Sequence, residues 1–348
     1  MKWEQLIAVS LLAAPAMVHC QEAPCPEKTQ DPIFYNSSSR KEVKGGQNLF
    51  VTGDLLFWQA SEDGLEFVVD NKHSTTAVIH GSADGPHFGW DFGFRVGMGY
   101  NLKHDQWDLY LNFTHYHGNA ESTKTADAGG ALFPLWQSPF MAPDGGYVTH
   151  AKANWAITMN MADFELGRDF YVGRWLSFRP FLGLKGGTIQ EKYHIEYSGG
   201  TAVPEGDEDQ IHMTNHFWGV GVRLGVDSLW NFTKEWGLYG NGALSLLPGQ
   251  YNIQQKEKFE RTSSPSFKIQ DHISMTLTFA ELSLGLQWDH MFAKDRYHLG
   301  MKLGWELNLL FDHNLFMKLV SATAPGIFTQ SDGDLSFQGL TFGLRFDF

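Results

Sequence analysis

Alternation of apolar and polar residues with a period of two is the feature that most constrains the fold of this chain. In the clearest stretch the polar parity holds four glycines with Asp91 and Arg95, and the apolar parity holds Phe88, Trp90, Phe92, Phe94, Val96, Met98 and Tyr100. Successive side chains of a β-strand point to opposite faces, so this period places all the apolar residues on one face. Each such strand therefore separates an apolar medium from a polar one.

The same pattern predicts ten strands. They lie at residues 48–60, 87–100, 106–117, 149–168, 174–197, 211–229, 235–247, 267–289, 296–311 and 335–348. A further hairpin at 65–69 and 75–80 would raise the number to twelve. The apolar parity switches near 159–166 and 275–282, which predicts a β-bulge in each of these strands.

Three features favour an antiparallel transmembrane β-barrel over a soluble β-sandwich, which also alternates. The apolar stripes often end in Trp, Tyr or Phe, as aromatic girdles at the two bilayer interfaces do. Several segments exceed the length of about five or six residues that is usual for soluble strands. The connections alternate between short and long, which is typical of short periplasmic turns and long extracellular loops. We therefore predict an all-β outer-membrane barrel of ten to twelve strands with both termini in the periplasm.

The start of the chain is typical of an export signal. An apolar stretch from Leu6 to Val18 follows Lys2 and predicts a signal peptide over residues 1–20, cleaved near Cys20. A lipoprotein with Cys20 as the lipid-bearing residue and an uncleaved anchor are the weaker alternatives. Residues 21–47 predict a flexible periplasmic lead-in, and residues 48–348 the barrel. With only two cysteines in the sequence, no disulfide framework is expected.

The last strand carries an apolar face that ends the chain. Leu340, Phe342 and Leu344 share this face with Phe346 and Phe348. A terminal aromatic residue after an alternating strand resembles the signal by which outer-membrane barrels are recognised for assembly, so we assign Phe346 and Phe348 to that role. The partner that this assignment implies is the barrel assembly machinery.

Several strings resemble a known family. They are FVTGDLLFWQASEDGLEF from Phe50, GWDFGFRVGMGY from Gly89, MNMADFELGRDFYVG from Met159 and FRPFLGLKGG from Phe178. The chain resembles the pore-forming outer-membrane proteins related to the chlamydial major outer membrane proteins and their counterparts in legionellae. The resemblance implies a porin-like β-barrel in the bacterial outer membrane, without catalytic residues. The chlamydial proteins are rich in cysteine, whereas the predicted barrel has none, so a disulfide-linked wall is not implied.

Charged residues on the parity that faces away from lipid form the candidate pore lining. They are Asp91, Arg95, Asp108, Arg179, Lys185, Arg223, Asp227, Glu281, Asp289, Lys302, Glu306, Arg345 and Asp347. Six cations against seven anions predict weak selectivity, and an acidic connection at 201–210 favours cations modestly. The alternative is that these charges pair across a narrow lumen and fill it.

Other chemistries receive less support. The pairs His115 with His117 and His212 with His216 have a spacing that would seat a metal, but no cysteine or carboxylate accompanies them in sequence, so we expect no metal and no cofactor. An outer-membrane hydrolase would have to assemble His150, His194, Asp144 and Ser198 from distant loops, and no nucleophile motif supports it.

We therefore predict a porin-like channel for passive diffusion of small hydrophilic solutes or ions, with weak cation preference, and no enzyme activity. The alternatives are a structural or adhesive surface barrel with a filled lumen and, behind it, the hydrolase. The formal net charge of -13 argues against nucleic acid as a partner. Membrane lipid and small solutes are the expected contacts, and association into a homo-oligomer stays open.

Overall fold

The computed structural model describes residues 39–72, 81–103, 105–142, 145–260, 267–321, 327–331 and 333–348. The predicted signal peptide and its cleavage site lie outside the described residues. The described residues form seventeen β-strands, which are β1 (Leu49–Glu62), β2 (Val68–Asn71), β3 (Gly81–Asp84), β4 (His87–Phe88), β5 (Asp91–Asn101), β6 (Trp107–Thr125), β7 (Ala131–Pro134), β8 (His150–Arg168), β9 (Phe170–Tyr171), β10 (Leu176–Ser198), β11 (Glu208–Asn231), β12 (Trp236–Phe259), β13 (Phe267–Phe292), β14 (Tyr297–Asn314), β15 (Met317–Leu319), β16 (Phe328–Gln330) and β17 (Gly333–Asp347).

Ten long strands form a closed antiparallel barrel, which confirms the predicted fold class. Each pairs with its neighbours in the order β1, β5, β6, β8, β10, β11, β12, β13, β14 and β17, and β17 pairs back onto β1. At the closure Phe50 lies opposite Asp347 and Glu62 lies opposite Leu335. Closure leaves no unpaired edge, as a lipid environment requires. No helix among the described residues is long and apolar enough to cross a bilayer.

The additional hairpin predicted between the first two wall strands is described only in part, because its second arm, residues 75–80, lies outside the described residues. Strand β2 overlaps its first arm, and it pairs with β3 on one side and with β7 on the other, in a separate three-stranded sheet. The described arm therefore adds no strand to the barrel wall.

The two predicted bulges are wrong, and the parity switches have a different cause. The pairings of β8 with both its neighbours and of β13 with β12 continue without a shift through these positions, and β13 pairs without a shift with β14 from Thr278 onward. In β8 the inward parity runs from Met159 and Met161 to Asp163 and Glu165, while apolar side chains appear on the outer face at Phe164 and Leu166. Along β8 toward its C-terminal end, the inward side chains thus change from apolar to charged. At the same level the outward side chains change from polar to apolar.

This change of level divides the barrel into two halves. The half nearer the chain termini, which we call the membrane half, has an apolar outer face that includes Val96, Leu184 and Leu284. Aromatic rings lie at both limits of this face. Near its upper limit Trp90 contacts Phe57 and Trp305. Near the chain termini a stacked series contains Phe292, Tyr297, Phe346 and Phe348. We call the other part the extracellular half; its strands continue beyond the upper ring with polar outer faces.

One register shift interrupts the wall pairings as described. Between β14 and β17 the shift falls between Leu310 and Asn314, where Asp312 has a φ of 53°. Below the shift the even-numbered residues Asn308 and Leu310 face inward; beyond it Asp312 is exposed and His313 is buried. Here β14 has two more residues than β17 opposite it, and such extra residues re-aim the side chains at the irregularity. The bulge therefore turns His313 into the lumen.

Candidate functional site: the divided lumen

Arg179 is the centre of the largest charged cluster in the membrane half. Its guanidinium contacts Asp108 at 2.6 Å, Asp227 at 2.8 Å and Glu165 at 3.0 Å. Gly167 provides the room, because a Cβ at that position would lie 2.6 Å from the guanidinium carbon. The glycines that alternate with charged residues on the inward parity thus accommodate long charged side chains.

A second chain of ion pairs continues from Glu165. Arg223 donates to Glu165 at 3.2 Å and also contacts Glu281. Lys185 lies 3.0 Å from Glu281 and 2.9 Å from Asp163. Four strands, β8, β10, β11 and β13, therefore contribute charges to one continuous network across the lumen.

Arg95 forms the corresponding cluster on the opposite wall. Its guanidinium lies 3.0 Å from Asp54 and 3.0 Å from Glu306, and Lys302 lies 3.3 Å from Asp54. At the periplasmic end His298 lies 3.0 Å from Asp289 and 2.7 Å from Asp347, and Arg345 contacts Asp347 at 2.8 Å. Charge pairing, the alternative left open by the sequence, thus occurs throughout the membrane half.

A cavity of about 310 Å³ lies between these clusters, with Ser39, Arg40 and Lys41 in its wall. The structure places most predicted lining residues in the same wall: Arg95, Arg179, Arg223, Asp227, Glu281, Asp289, Lys302, Glu306, Arg345 and Asp347. Asp108 and Lys185 belong to the ion-pair networks beside the cavity. Asp91 lies apart and accepts a hydrogen bond from the backbone of Asn119.

The sequence analysis missed three carboxylates of these networks, which are Asp54, Asp163 and Glu165. Their inward parity in β1 and β8 is the signal that would have found them. With them, the described ion pairs join six Arg and Lys cations to eight carboxylates, namely Asp54, Asp108, Asp163, Glu165, Asp227, Glu281, Glu306 and Asp347. A ninth carboxylate, Asp289, pairs with His298. The excess of carboxylates is larger than the sequence predicted.

The extracellular half has an apolar interior formed by wall and connections together. Segments of the connections enter the barrel mouth and bury Leu65, Phe67, Trp136 and Phe316 among wall residues that include Trp155, Phe217, Phe279 and Phe337. We call residues 64–68, 131–138 and 315–317 the plug. Within the described residues the plug and the inward wall side chains form one continuous core.

Hydrogen bonds from the wall hold the plug in place. Tyr193 and Tyr197 of β10 donate to the backbone carbonyls of Leu65 and Phe67. The Trp136 indole donates to the Glu66 carbonyl at 2.8 Å, which joins two segments of the plug to each other. These bonds satisfy backbone groups that burial would otherwise leave unpaired.

A buried carboxyl pair fixes another part of the plug. Glu257 accepts from the backbone N–H of Ser138 at 2.9 Å, and Asp209 accepts from the Gln137 amide at 2.8 Å. Both residues lie at the extracellular strand ends, beyond the apolar outer face. Burial raises the pKa of Asp209 to about 6 and, together with the neighbouring Asp209 charge, raises the pKa of Glu257. A shared proton between the two groups follows from these shifts.

A third group of buried ionisable residues lies between the plug and the charged networks. His313 Nδ1 lies 3.3 Å from Glu62 Oε1 and 3.5 Å from Glu191 Oε2. The Asn215 amide donates to Glu191 at 3.0 Å. Burial raises the pKa of Glu62 to about 7 and lowers the pKa of His313. Three distant strands supply these ionisable groups, so their sequence positions give no sign of the cluster.

The predicted histidine pairs do not meet as metal ligands. His115 bonds Asn160 at 2.8 Å and His117 bonds Thr158 at 2.9 Å. His212 stacks on His194, with 4.0 Å between ring centroids. Of the residues considered for a hydrolase, Asp144 lies outside the described residues. His150 bonds Thr125, and His194 bonds Glu196 at 2.8 Å.

The residues assigned to the assembly signal close the barrel. Phe346 stacks against Phe348 with 5.9 Å between centroids, and the backbone N–H of Phe348 donates to Leu49. This position agrees with a role in closure, and recognition by assembly machinery stays a prediction.

The model of one protein family, described as Legionella pneumophila major outer membrane protein precursor, matches residues 46–348. The chain belongs to this family. The Legionella major outer membrane protein family agrees with the resemblance in the sequence and places the barrel in the bacterial outer membrane. No curated protein matches the sequence.

Three solved structures illustrate what the barrel is similar to. The outer membrane protease OmpT of Escherichia coli is 11% identical with a TM-score of 0.44, and the match covers 87% of this chain and 98% of OmpT. A FadL homologue of Pseudomonas aeruginosa is 7% identical with a TM-score of 0.25, covering 86% and 89% of the two chains. The toluene transporter TodX of P. putida is 11% identical with a TM-score of 0.28, covering 86% and 90%. Scores this low support no conclusion about activity.

Proposed function

We propose that the protein is a structural barrel of the outer membrane whose lumen is closed at its extracellular end, so that it does not conduct solutes in the state described. The observation that carries the proposal is the plug, whose aromatic residues form one core with the inward wall. This function is the filled-lumen alternative of the sequence analysis. The sheet of β2, β3 and β7 then belongs to a rigid extracellular surface that the barrel anchors in the membrane.

A channel with weak cation preference is the second candidate. The cavity of about 310 Å³ and its charged wall support it, as does the excess of carboxylates over cations in the membrane half. In this candidate the plug must leave the barrel mouth before solutes pass. The expectation that the protein is not an enzyme stays a prediction.

Recordings on purified, refolded protein in planar bilayers distinguish the two functions. The informative variant replaces both Tyr193 and Tyr197 with Phe, which keeps the rings and removes the two hydrogen bonds to the plug. Tyr251→Phe is the matched control, because the Tyr251 hydroxyl is buried without a hydrogen-bond partner in the described structure.

For a closed structural barrel we expect no conductance steps from the wild type or the control at any voltage. Transient steps in the Tyr193→Phe/Tyr197→Phe variant would show that the plug is what closes the lumen. Steady wild-type steps with a reversal potential that favours cations would overturn the proposal in favour of the channel.

A further inference from the structure

The cluster of Glu62, Glu191 and His313 combines two buried carboxyl groups with a buried imidazole inside the lumen. Glu62 and Glu191 have 0% exposed side chains and His313 has 1%. One ligand atom from each residue lies within 4.8 Å of the others. The residues come from the ends or upper parts of β1, β10 and β14, so strands from separate sides of the wall meet at this point.

The charge balance of this cluster is incomplete. In the membrane half, the carboxylates of the Arg95, Arg179 and Arg223 networks each contact an Arg or Lys side chain. Among the described residues, neither Glu62 nor Glu191 has an Arg or Lys within ion-pair distance, and their shared partner is the His313 ring. Two ionised carboxylates with one imidazolium would leave a net charge of -1, and an uncompensated buried charge is strongly unfavourable. A divalent cation would balance the two carboxylates with a neutral imidazole.

Unsatisfied polar atoms surround the same point. Glu62 Oε2, Glu191 Oε1 and Asn215 Oδ1 are buried without a hydrogen bond of normal geometry in the described structure, and the donor beside Glu62 is the Trp155 indole. Asn215 is 1% exposed, and the nitrogen of the same amide group already donates to Glu191. Buried polar atoms are nearly always satisfied, so several unsatisfied acceptors in one place indicate a missing electrophile.

The distances fit a four-coordinate metal ion. Zn²⁺ binds imidazole nitrogen and carboxylate oxygen at about 2.0–2.2 Å, so adjacent ligand atoms of a tetrahedral site lie about 3.3–3.5 Å apart. The two measured separations from His313 Nδ1 are 3.3 and 3.5 Å. The bulge in β14 is what brings this ring inward, since the regular parity of the strand would have placed Asp312 there.

We propose that Glu62, Glu191 and His313 bind one Zn²⁺ ion, with Asn215 holding Glu191 in position through its amide hydrogen bond. Mixed imidazole and carboxylate donors are a ligand set that Zn²⁺ accepts. The ion ties β1, β10 and β14 together directly below the plug. Because Leu315 and Phe316 follow His313 by only two and three residues, the site also anchors one segment of the plug.

Metal content after refolding tests the site. The protein is unfolded with chelator, refolded into detergent with excess Zn²⁺, freed of loose metal by gel filtration and analysed by mass spectrometry for bound zinc. We expect about one zinc per chain for the wild type and none for Glu191→Gln or His313→Ala. Asn215→Ala should retain the ion with an affinity lowered by about 10–100-fold.

Glu257→Gln is the matched control. It alters the other buried carboxyl pair of the extracellular half, which has hydrogen bonds from Ser138 and Gln137 but no imidazole. This variant should retain one zinc, and mobility of unboiled samples on a gel shows whether each variant has formed the barrel. Zinc should raise the unfolding temperature of the wild type and leave that of folded Glu191→Gln unchanged.

Wild-type protein that refolds without binding zinc would overturn the proposal and favour carboxyl groups that share protons. Equal zinc content in the wild type and in folded His313→Ala would also overturn it. If His313→Ala does not fold, Glu191→Gln replaces it in this test. A folded Glu191→Gln barrel with the zinc content of the wild type would overturn the proposal.

Discussion

Removal of Arg95 tests whether ion pairs or water stabilise the charges inside the membrane half. Glu306 receives two hydrogen bonds from Arg95, at 3.0 and 3.3 Å, and has no other cation within ion-pair distance in the described structure. Asp54 keeps a second partner, because Lys302 lies 3.3 Å away. Arg95→Met therefore leaves the buried Glu306 carboxylate without a cation within ion-pair distance in the described structure, with the charge of Lys302 farther away, while it preserves most of the side-chain volume.

The structure gives the expected magnitude. Breaking a buried pair by removing one partner costs about 3–5 kcal/mol, whereas replacing both partners with apolar residues is often close to neutral. We expect Arg95→Met to lower the free energy of unfolding by about 3 kcal/mol or more. The double variant Arg95→Met/Glu306→Met should recover about 2 kcal/mol of that loss, since adjacent sites are coupled.

Urea unfolding of barrels refolded into lipid vesicles measures both values. Lys44→Ala is the control, because its ion pair with Asp295 is exposed and should not contribute measurably. Equal stability of the single and double variants would refute the reasoning, as would a loss below about 1 kcal/mol for Arg95→Met. Either result would mean that water solvates Glu306, which favours an open, hydrated lumen.

Three other outcomes follow from the structure. Burial and the Asp209 charge raise the pKa of Glu257 to about 9, so the stability that the protonated Glu257 carboxyl provides is full below its ordinary pKa of 4.5 and is lost as the pH rises toward 9. Thermal unfolding should show this loss in the wild type but not in Glu257→Gln. Leu282 is 60% exposed on the apolar outer face, so Leu282→Lys should lower the free energy of unfolding in vesicles by about 2–4 kcal/mol. Thr276 is exposed on the same strand beyond that face, so Thr276→Lys should change this free energy little. Deletion of Phe348 should lower the yield of assembled barrel more than deletion of one residue from the connection 126–149. The mobility of unboiled samples on a gel measures this yield, and equal yields would contradict a role of Phe348 in assembly.

The strand positions were predictable because period-two alternation depends only on neighbouring residues. The predicted segment 149–168 corresponds to β8 (His150–Arg168), and 335–348 corresponds to β17 (Gly333–Asp347). The extracellular ends of β6 and β12 were assigned to loops. In β12 the inward parity there includes Gln255 and Glu257 while the outer face carries Lys256 and Lys258. Polar residues on both faces remove the contrast from which a strand is recognised.

The charged residues of the lumen were predictable only in part, because a charge is recognised only where it stands opposite a clear apolar stripe. Arg95 and Arg179 stand out because each is a charge opposite an apolar lipid-facing stripe. Their partners Asp54 and Glu165 lie on strands whose inward face the sequence analysis did not assign. The Glu62, Glu191 and His313 cluster depends on closure of the barrel and on the bulge that turns His313 inward. Neither leaves a signal in the spacing of residues along the chain.

The inversion of polarity along the strands explains why the closed state should dominate. Lipid surrounds the membrane half, so its outer face is apolar and burial of apolar groups inside it gains nothing over contact with lipid. Water surrounds the extracellular half, so an apolar interior there is stabilised as in a soluble protein. Leu65, Phe67 and Phe316 of the plug are fully buried in that interior.

Exposing these three side chains costs about 1.5–3 kcal/mol each, at least about 4.5 kcal/mol together. An open barrel mouth would then occur in fewer than about one molecule in a thousand. We therefore expect sustained conduction by the wild type only when a ligand or partner binds the displaced plug.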